Sequence, residues 1–479
     1  MNYNSLTYIL LIPVIVAVYY CVPRQWRNAL LLMVSLAMYT LWWPAGLLAM
    51  AWVIMVSYLG IRHCTHQGDG SFRAKSRWLH QKNRPLGALW LVIAATTLPL
   101  VFFKYLQPLN AAISGALHVD WFLSRHPWAI PVGLSFYTLQ AIALEVDVWK
   151  GRLQPARSLV SHAAFMCFFP ITVSGPIVRG DELLSRLDAN DHKFDPELAW
   201  RGVKWLIWGL FMKLAVADSF ALFVTAVETR IDTQNGLTIF VSAMSYTIQI
   251  YADFAGYSLM ALGTAALLGF RLRDNFLRPL FSVGIKDFWR RWHLSLSTWL
   301  RDYIYIPLGG SRCSRWRSHL NVLVTFVVSG LWHGAGWSYL LWGFINGMWL
   351  IVERVVHFDR WSGHWLARVT FGLITFLVLS LLFILFSHDV PTSLHIMQRL
   401  FTQSWCDGLS VYQSVSTMSR EWSMLAMFAV MMAKEVRDEF APQWLSGRLP
   451  GIVFYAVIIV LILVFGVFDR GGQFIYMHF

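Results

Sequence analysis

Between Ser318 and Val352 the chain runs 35 residues without an Asp, Glu, Lys or Arg, and between Asn28 and Gly60 it runs 33. A hydrocarbon core about 30 Å thick takes about 20 residues of helix at 1.5 Å each. Each run is therefore long enough for two passes. The first breaks naturally at Pro44-Ala45-Gly46, because Pro and Gly punctuate helices most strongly. Further charge-free stretches cover Leu86–Phe103, Thr233–Ala252, Phe254–Phe270, Val369–His388 and Leu449–Phe468. Shorter or interrupted candidates lie near Leu6–Val22, Pro131–Val148, His162–Val178, Val203–Val227 and Trp422–Ala433. About ten to twelve membrane segments are expected. Only 14% of residues are charged, against about 25% in soluble domains. That shortage excludes a disordered chain, a coiled coil and an ordinary cytosolic enzyme.

The basic residues that remain set the topology. Residues 62–84 hold six Lys or Arg against one Asp, and residues 271–317 hold ten against three acids. Loops rich in Lys and Arg stay cytoplasmic, so these face inward and Asp389–Glu421 faces outward. The first segment has no basic leader region or small-residue cleavage site and reads as a retained helix. The net charge of +13 is then mostly orientation signal, and nucleic acid is not an expected partner. Five dispersed cysteines, with no C-x-x-C, indicate neither a disulfide framework nor a metal site.

Charge or histidine inside apolar sequence is costly and marks function by default. Two places qualify. Lys286–Asp302 carries six charges, and placing them in lipid at mid-depth would cost on the order of 15–20 kcal/mol. On a helix, Trp289, Trp292, Leu296, Trp299 and Leu300 form one stripe, with Arg290 and Arg291 opposite and His293 on the border. Such an amphipathic helix is either a lipid-surface anchor or a basic face for an anionic cytoplasmic ligand such as the phosphates of coenzyme A. The second place is Ser329–Trp337, where His333 sits mid-membrane among Gly330, Gly334 and Gly336. These glycines permit close helix contact and a helix break beside a cavity. His333 is either a core histidine bonded to a carbonyl or a neutral general base. Asp253, between two apolar runs, is a further buried-charge candidate, while Glu145 and Asp147 are expected to pair with Lys150 or Arg152. There is no complete nucleophile elbow, Walker A loop or H-E-x-x-H.

Several stretches resemble the membrane-bound O-acyltransferase (MBOAT) family, most closely its bacterial alginate O-acetyltransferase branch. They are P-V-G-L-S-F-Y-T-L-Q from Pro131, Y-A-D-F-A-G-Y-S from Tyr251, N-F-L-R-P from Asn275, F-W-R-R-W-H-L-S-L-S-T-W-L-R-D-Y-I-Y-I-P-L-G-G from Phe288 and G-L-W-H-G-A-G-W from Gly330. The ending F-I-Y-M-H-F resembles the family's C-terminal aromatic motif, with Met477 and His478 departing from its usual wording.

The resemblance implies an all-α polytopic membrane protein: a ring of helices, with short amphipathic and re-entrant ones, around a cavity open to both sides. It implies one integral membrane domain over 1–479, with N-terminal helices over 1–84, a motif-bearing core over 85–355 and C-terminal helices and aromatic tail over 356–479. His333 corresponds to the family's catalytic histidine and His293 to its upstream polar partner. Acetyl-CoA is the implied donor, with no metal cofactor. The implied partners are the lipid bilayer of a bacterial inner membrane, an exopolysaccharide acceptor and periplasmic SGNH-type acetyltransferase subunits. Arg290 and Arg291 are the candidates for the donor's phosphates, and Tyr476 for an outward acetyl relay. The competing functions are D-alanyl transfer to teichoic acid and non-enzymatic transport of a polar substrate.

Overall fold

The computed structural model describes residues 4–66, 86–118, 129–173, 175–190, 193–361, 363–405, 421–443 and 448–468. The described residues are helical with irregular connections, as expected for a polytopic membrane protein. Among the described residues, four helices are long and apolar enough to cross a membrane: Pro44–Cys64, Leu86–Leu117, Pro196–Glu228 and Trp365–Ser387. Leu6–Cys21 and Leu449–Phe465 are shorter apolar helices. The chain divides into two compact units, residues 1–203 with 261–273, and residues 204–260 with 274–479.

In the first unit the long run from Asn28 splits as its Pro-Ala-Gly sequence requires. Helix Arg24–Trp42 ends, a single 3₁₀ turn covers Pro44–Gly46, and helix Leu47–His66 follows. The Tyr39 hydroxyl donates to the Val132 carbonyl at 2.9 Å and ties this corner down. The candidate segment His162–Val178 is not one helix, since only Leu159–Met166 is helical. Pro170 and Pro176 follow closely, and proline removes a backbone donor and disfavours helix in the residue before it. The acidic pair at the end of Leu134–Trp149 divides in two. Asp147 pairs with Arg152 at 3.5 Å, whereas buried Glu145 accepts a 2.6 Å bond from Thr96.

In the second unit Asp253 does not separate two segments. Helix Gly236–Leu267 runs straight through it for 32 residues. The charge is accommodated because Lys213 Nζ lies 2.7 Å from both Asp253 Oδ1 and Asp218 Oδ1, with all three side chains at most 2% exposed. Lys213 sits on a π-helical turn, Phe211–Ala217. Such a turn does not close every i→i−4 bond, and here the Leu214 carbonyl accepts from Val467 N–H at 3.0 Å. The run Ser318–Val352 forms the expected pair, Arg315–His333 and Trp337–Val355, broken at Gly334-Ala335-Gly336.

Candidate functional site

Both candidate histidines belong to the second unit, and each stands at the end of a helix. His333 is the last residue of Arg315–His333 because Gly334 leaves the helix in an extended conformation. Close contact with the returning helix positions it. A Cβ on Gly330 would lie 2.2 Å from the Tyr339 carbonyl oxygen, and one on Gly343 would lie 2.4 Å from that of Phe326. Only glycine lets the two backbones approach so far. The His333 ring, 3% exposed, is walled by Trp332 at 4.8 Å, Phe386 at 4.9 Å and Trp342 at 5.3 Å between centroids.

The segment Lys286–Asp302 departs from the single amphipathic helix read from its sequence. Ile285–Phe288 forms one short helix, the chain then turns, and His293 adopts φ 45° before the next helix, Leu294–Leu300. A π turn over Arg301–Tyr305 follows. The turn is captured by hydrogen bonds to the N-F-L-R-P stretch. Leu294 N–H donates to the Asn275 carbonyl at 2.9 Å, and Leu277 N–H donates to that of Arg291 at 2.9 Å. Those bonds satisfy backbone groups that a continuous helix would have used internally.

His293 is thereby buried, not placed on the border of an exposed helix. Its ring meets Phe254 edge-on at 4.7 Å and Trp332 at 6.1 Å. Trp332 therefore touches both imidazoles. Burial lowers the His293 pKa to about 3, because a low-dielectric surround disfavours the charged ring. His293 is a neutral hydrogen-bonding group at physiological pH.

The basic residues of this segment fare differently from one another. Arg290 is exposed. Arg291 is half-buried and bonded to Asp287 at 3.1 Å and to Glu439 at 2.9 Å. Arg278 holds the other oxygen of Glu439 at 2.6 Å. Burial opposes charge on Glu439, but the bonds from Arg278 and Arg291 outweigh it and keep the carboxyl below its ordinary range. Tyr476 lies outside the described residues.

Three residues have a supporting task that the sequence did not show. Glu353, at the edge of a charge-free run, accepts from Ile285 N–H at 2.6 Å and Lys286 N–H at 3.1 Å and so caps the short helix before the His293 turn. Thr375 accepts from Gly284 N–H at 2.9 Å, and Asn275 binds the turn. The N-F-L-R-P wording singled out Asn275, but only its tertiary partners reveal a task. A cavity of about 20 Å³, room for one water, is lined by Glu228, Tyr246, Ser387 and His388 among isoleucines. Among the described residues no group of three or more His, Cys, Asp and Glu is placed to hold a metal ion.

Two buried imidazoles packed on a shared tryptophan stand on an all-helical scaffold with membrane-length apolar helices, the architecture of a polytopic membrane protein. Residues 71–388 match the membrane-bound O-acyltransferase family, and the chain belongs to that family. Its activity class is O-acyl transfer. The chain is 36% identical to a probable alginate O-acetylase AlgI of Azotobacter vinelandii, over 73% of this chain and 68% of that protein. It is 30% identical to a peptidoglycan O-acetyltransferase of Helicobacter pylori, over 65% and 64%. It is 29% identical to a teichoic acid D-alanyltransferase of Streptococcus thermophilus, over 48% and 57%.

Proposed function

We propose that this protein is an acetyl-CoA-dependent O-acetyltransferase of a bacterial inner membrane, which moves acetyl outward for O-acetylation of a secreted polysaccharide. The observation that carries this reading is His333, fixed at a helix end and packed against the tryptophan that also touches His293. The alginate O-acetylase and peptidoglycan O-acetyltransferase relatives favour acetyl as the group and a polysaccharide as the acceptor. In the reaction an acceptor hydroxyl attacks the thioester carbonyl while His333 takes its proton. The C–O bond forms, the C–S bond breaks, and the proton passes from His333 to the departing thiolate. General base catalysis of this kind contributes about 10²–10⁴-fold. His293 orients the reacting groups from the other side of Trp332.

Exposed Arg290 is the ready contact for the donor's phosphates. Arg291 joins only by exchanging Glu439 for phosphate, since both carboxylates now occupy its guanidinium. Tyr476 serves as the outward acetyl relay to SGNH-type periplasmic subunits in this scheme. Purified protein given radiolabelled acetyl-CoA, its periplasmic partner subunits and an oligomannuronate tests the reading. Transfer is expected from the wild type and a loss of at least a hundredfold from His333→Ala at normal protein levels. Full activity in His333→Ala would reject the catalytic assignment, and D-alanine in place of acetate on the cell-surface polymer would reject the donor. Tyr476→Phe with intact polymer acetylation would reject the relay.

A further inference from the structure

Asn275 is 1% exposed, and one atom of its side-chain amide meets three groups. It lies 3.1 Å from Ser295 N, 2.8 Å from Ser295 Oγ and 3.2 Å from His293 Nδ1. A backbone N–H can only donate, so that atom is the oxygen. Reversing the amide would set donor against donor. A carbonyl oxygen can only accept, so His293 Nδ1 carries the hydrogen and Nε2 keeps its lone pair. Asn275 therefore fixes the tautomer of His293, much as partners of catalytic imidazoles do elsewhere.

The other end of the amide has a different fate. Being planar, it directs Nδ2 about 120° away from Oδ1. Nδ2 is buried with no hydrogen-bond partner among the described residues. A buried amide donor left unbonded is expensive, and native structures rarely retain one without a reason. This one stands beside His293, whose ring packs against Trp332 and, through it, against His333. Positions of this kind suit a preorganised donor aimed at charge that develops only during reaction.

We propose that Asn275 Nδ2 donates a hydrogen bond to the acyl carbonyl oxygen of the thioester, which makes Asn275 a catalytic residue of the acyl transfer. The inference rests on the acetyl-CoA reading above. As the acceptor oxygen bonds to the carbonyl carbon, the C=O π electrons move onto the carbonyl oxygen, and Nδ2–H stabilises that negative charge. Collapse restores C=O and expels the thiolate, which takes the proton held by His333. Atoms and charge balance without an oxidant, reductant or metal.

Asn275→Asp separates the two ends of the amide, because a carboxylate keeps all three accepted bonds and removes the Nδ2 donor, while adding a negative charge beside His293. With radiolabelled acetyl-CoA and an oligomannuronate, kcat per folded protein is expected to fall about 10²–10³-fold, with KM for acetyl-CoA within threefold and a lower thermal stability from the buried charge. The loss should persist from pH 6 to 9. A kcat within threefold of wild type overturns the proposal. So does recovery at high pH, which would assign the loss to a protonated His293. A second measurement needs only the wild type: S-acetonyl-CoA, which has a carbonyl, should bind at least tenfold more tightly than S-propyl-CoA, which has none. Equal binding overturns the proposal even if Asn275→Asp does not fold. Failure of the donor reading looks different, since the wild type would then transfer no acetyl and bind neither analogue.

Discussion

Replacing Gly343 by alanine adds a single methyl group at a close approach of the two helices that carry the site. That Cβ would lie 2.4 Å from the Phe326 carbonyl oxygen, where real Cβ contacts essentially never fall below 3.0 Å. The obstacle is backbone, so no side chain can swing away. The helices Arg315–His333 and Trp337–Val355 must therefore part by about 0.6 Å or more, the shortfall between those two distances. Overpacking of this kind costs about 1–3 kcal/mol. The larger effect is on geometry, since His333 ends one helix and Trp342, which walls its ring at 5.3 Å, belongs to the other. Misplacing a reacting group by about 1 Å costs on the order of a hundredfold in rate. Gly343→Ala is thus expected to lower kcat by about ten- to a hundredfold while the protein still inserts and purifies. Gly336→Ala is the control. It lies in the same W-H-G-A-G motif, yet its nearest atom is the Ser338 hydroxyl at 3.5 Å, an ordinary contact. Acetyl transfer and thermal unfolding in detergent check both variants. Wild-type kinetics in Gly343→Ala, or equal damage in Gly336→Ala, would refute the steric reasoning.

The other predictions concern the supports. Glu353→Ala removes the acceptor of one buried and one half-buried N–H group and is expected to cost about 1–3 kcal/mol and most of the activity. Glu353→Gln, which keeps one acceptor oxygen, should recover part of both in the same assays. Lys213→Met leaves Asp218 and Asp253 buried without their cation, a change that costs about 3–5 kcal/mol and should abolish accumulation in the membrane. Adding Asp218→Asn and Asp253→Asn should restore it, and a fully stable single variant would contradict the pairing. Finally, the Glu228 carboxylate 3.7 Å away raises the His388 pKa above its ordinary value, against the opposing effect of burial. A raised pKa in the folded state stabilises fully below the ordinary value near 6.5 and ceases to do so as pH rises through the raised value. Thermal stability should therefore fall between pH 6 and 9, and Glu228→Gln should flatten that slope.

The sequence was legible wherever one residue type has one physical consequence. Pro44-Ala45-Gly46 and Gly334-Ala335-Gly336 end helices because of their own backbone chemistry, and both breaks occur where the wording puts them. Charge placement was less readable. Asp253 looks like an interruption until Lys213, forty residues earlier, is seen to neutralise it. Likewise, the helical wheel drawn for Lys286–Asp302 assumed that backbone bonds stay within the segment, whereas Asn275 and Leu277 claim two of them.

By itself, then, the sequence determined a helical membrane protein and the positions of its apolar runs, and it marked His293 and His333 as candidates. Those properties follow from local composition, because hydrocarbon tolerates few charges and requires each spanning segment to satisfy its own backbone. Tertiary structure alone decided what the polar residues do. It turned His293 inward, bound Arg291 to two acids, set Glu353 as a cap and left one end of the Asn275 amide open. Each outcome depends on a hydrogen bond or ion pair between residues far apart in the chain, and periodicity within a segment carries no information about such pairs.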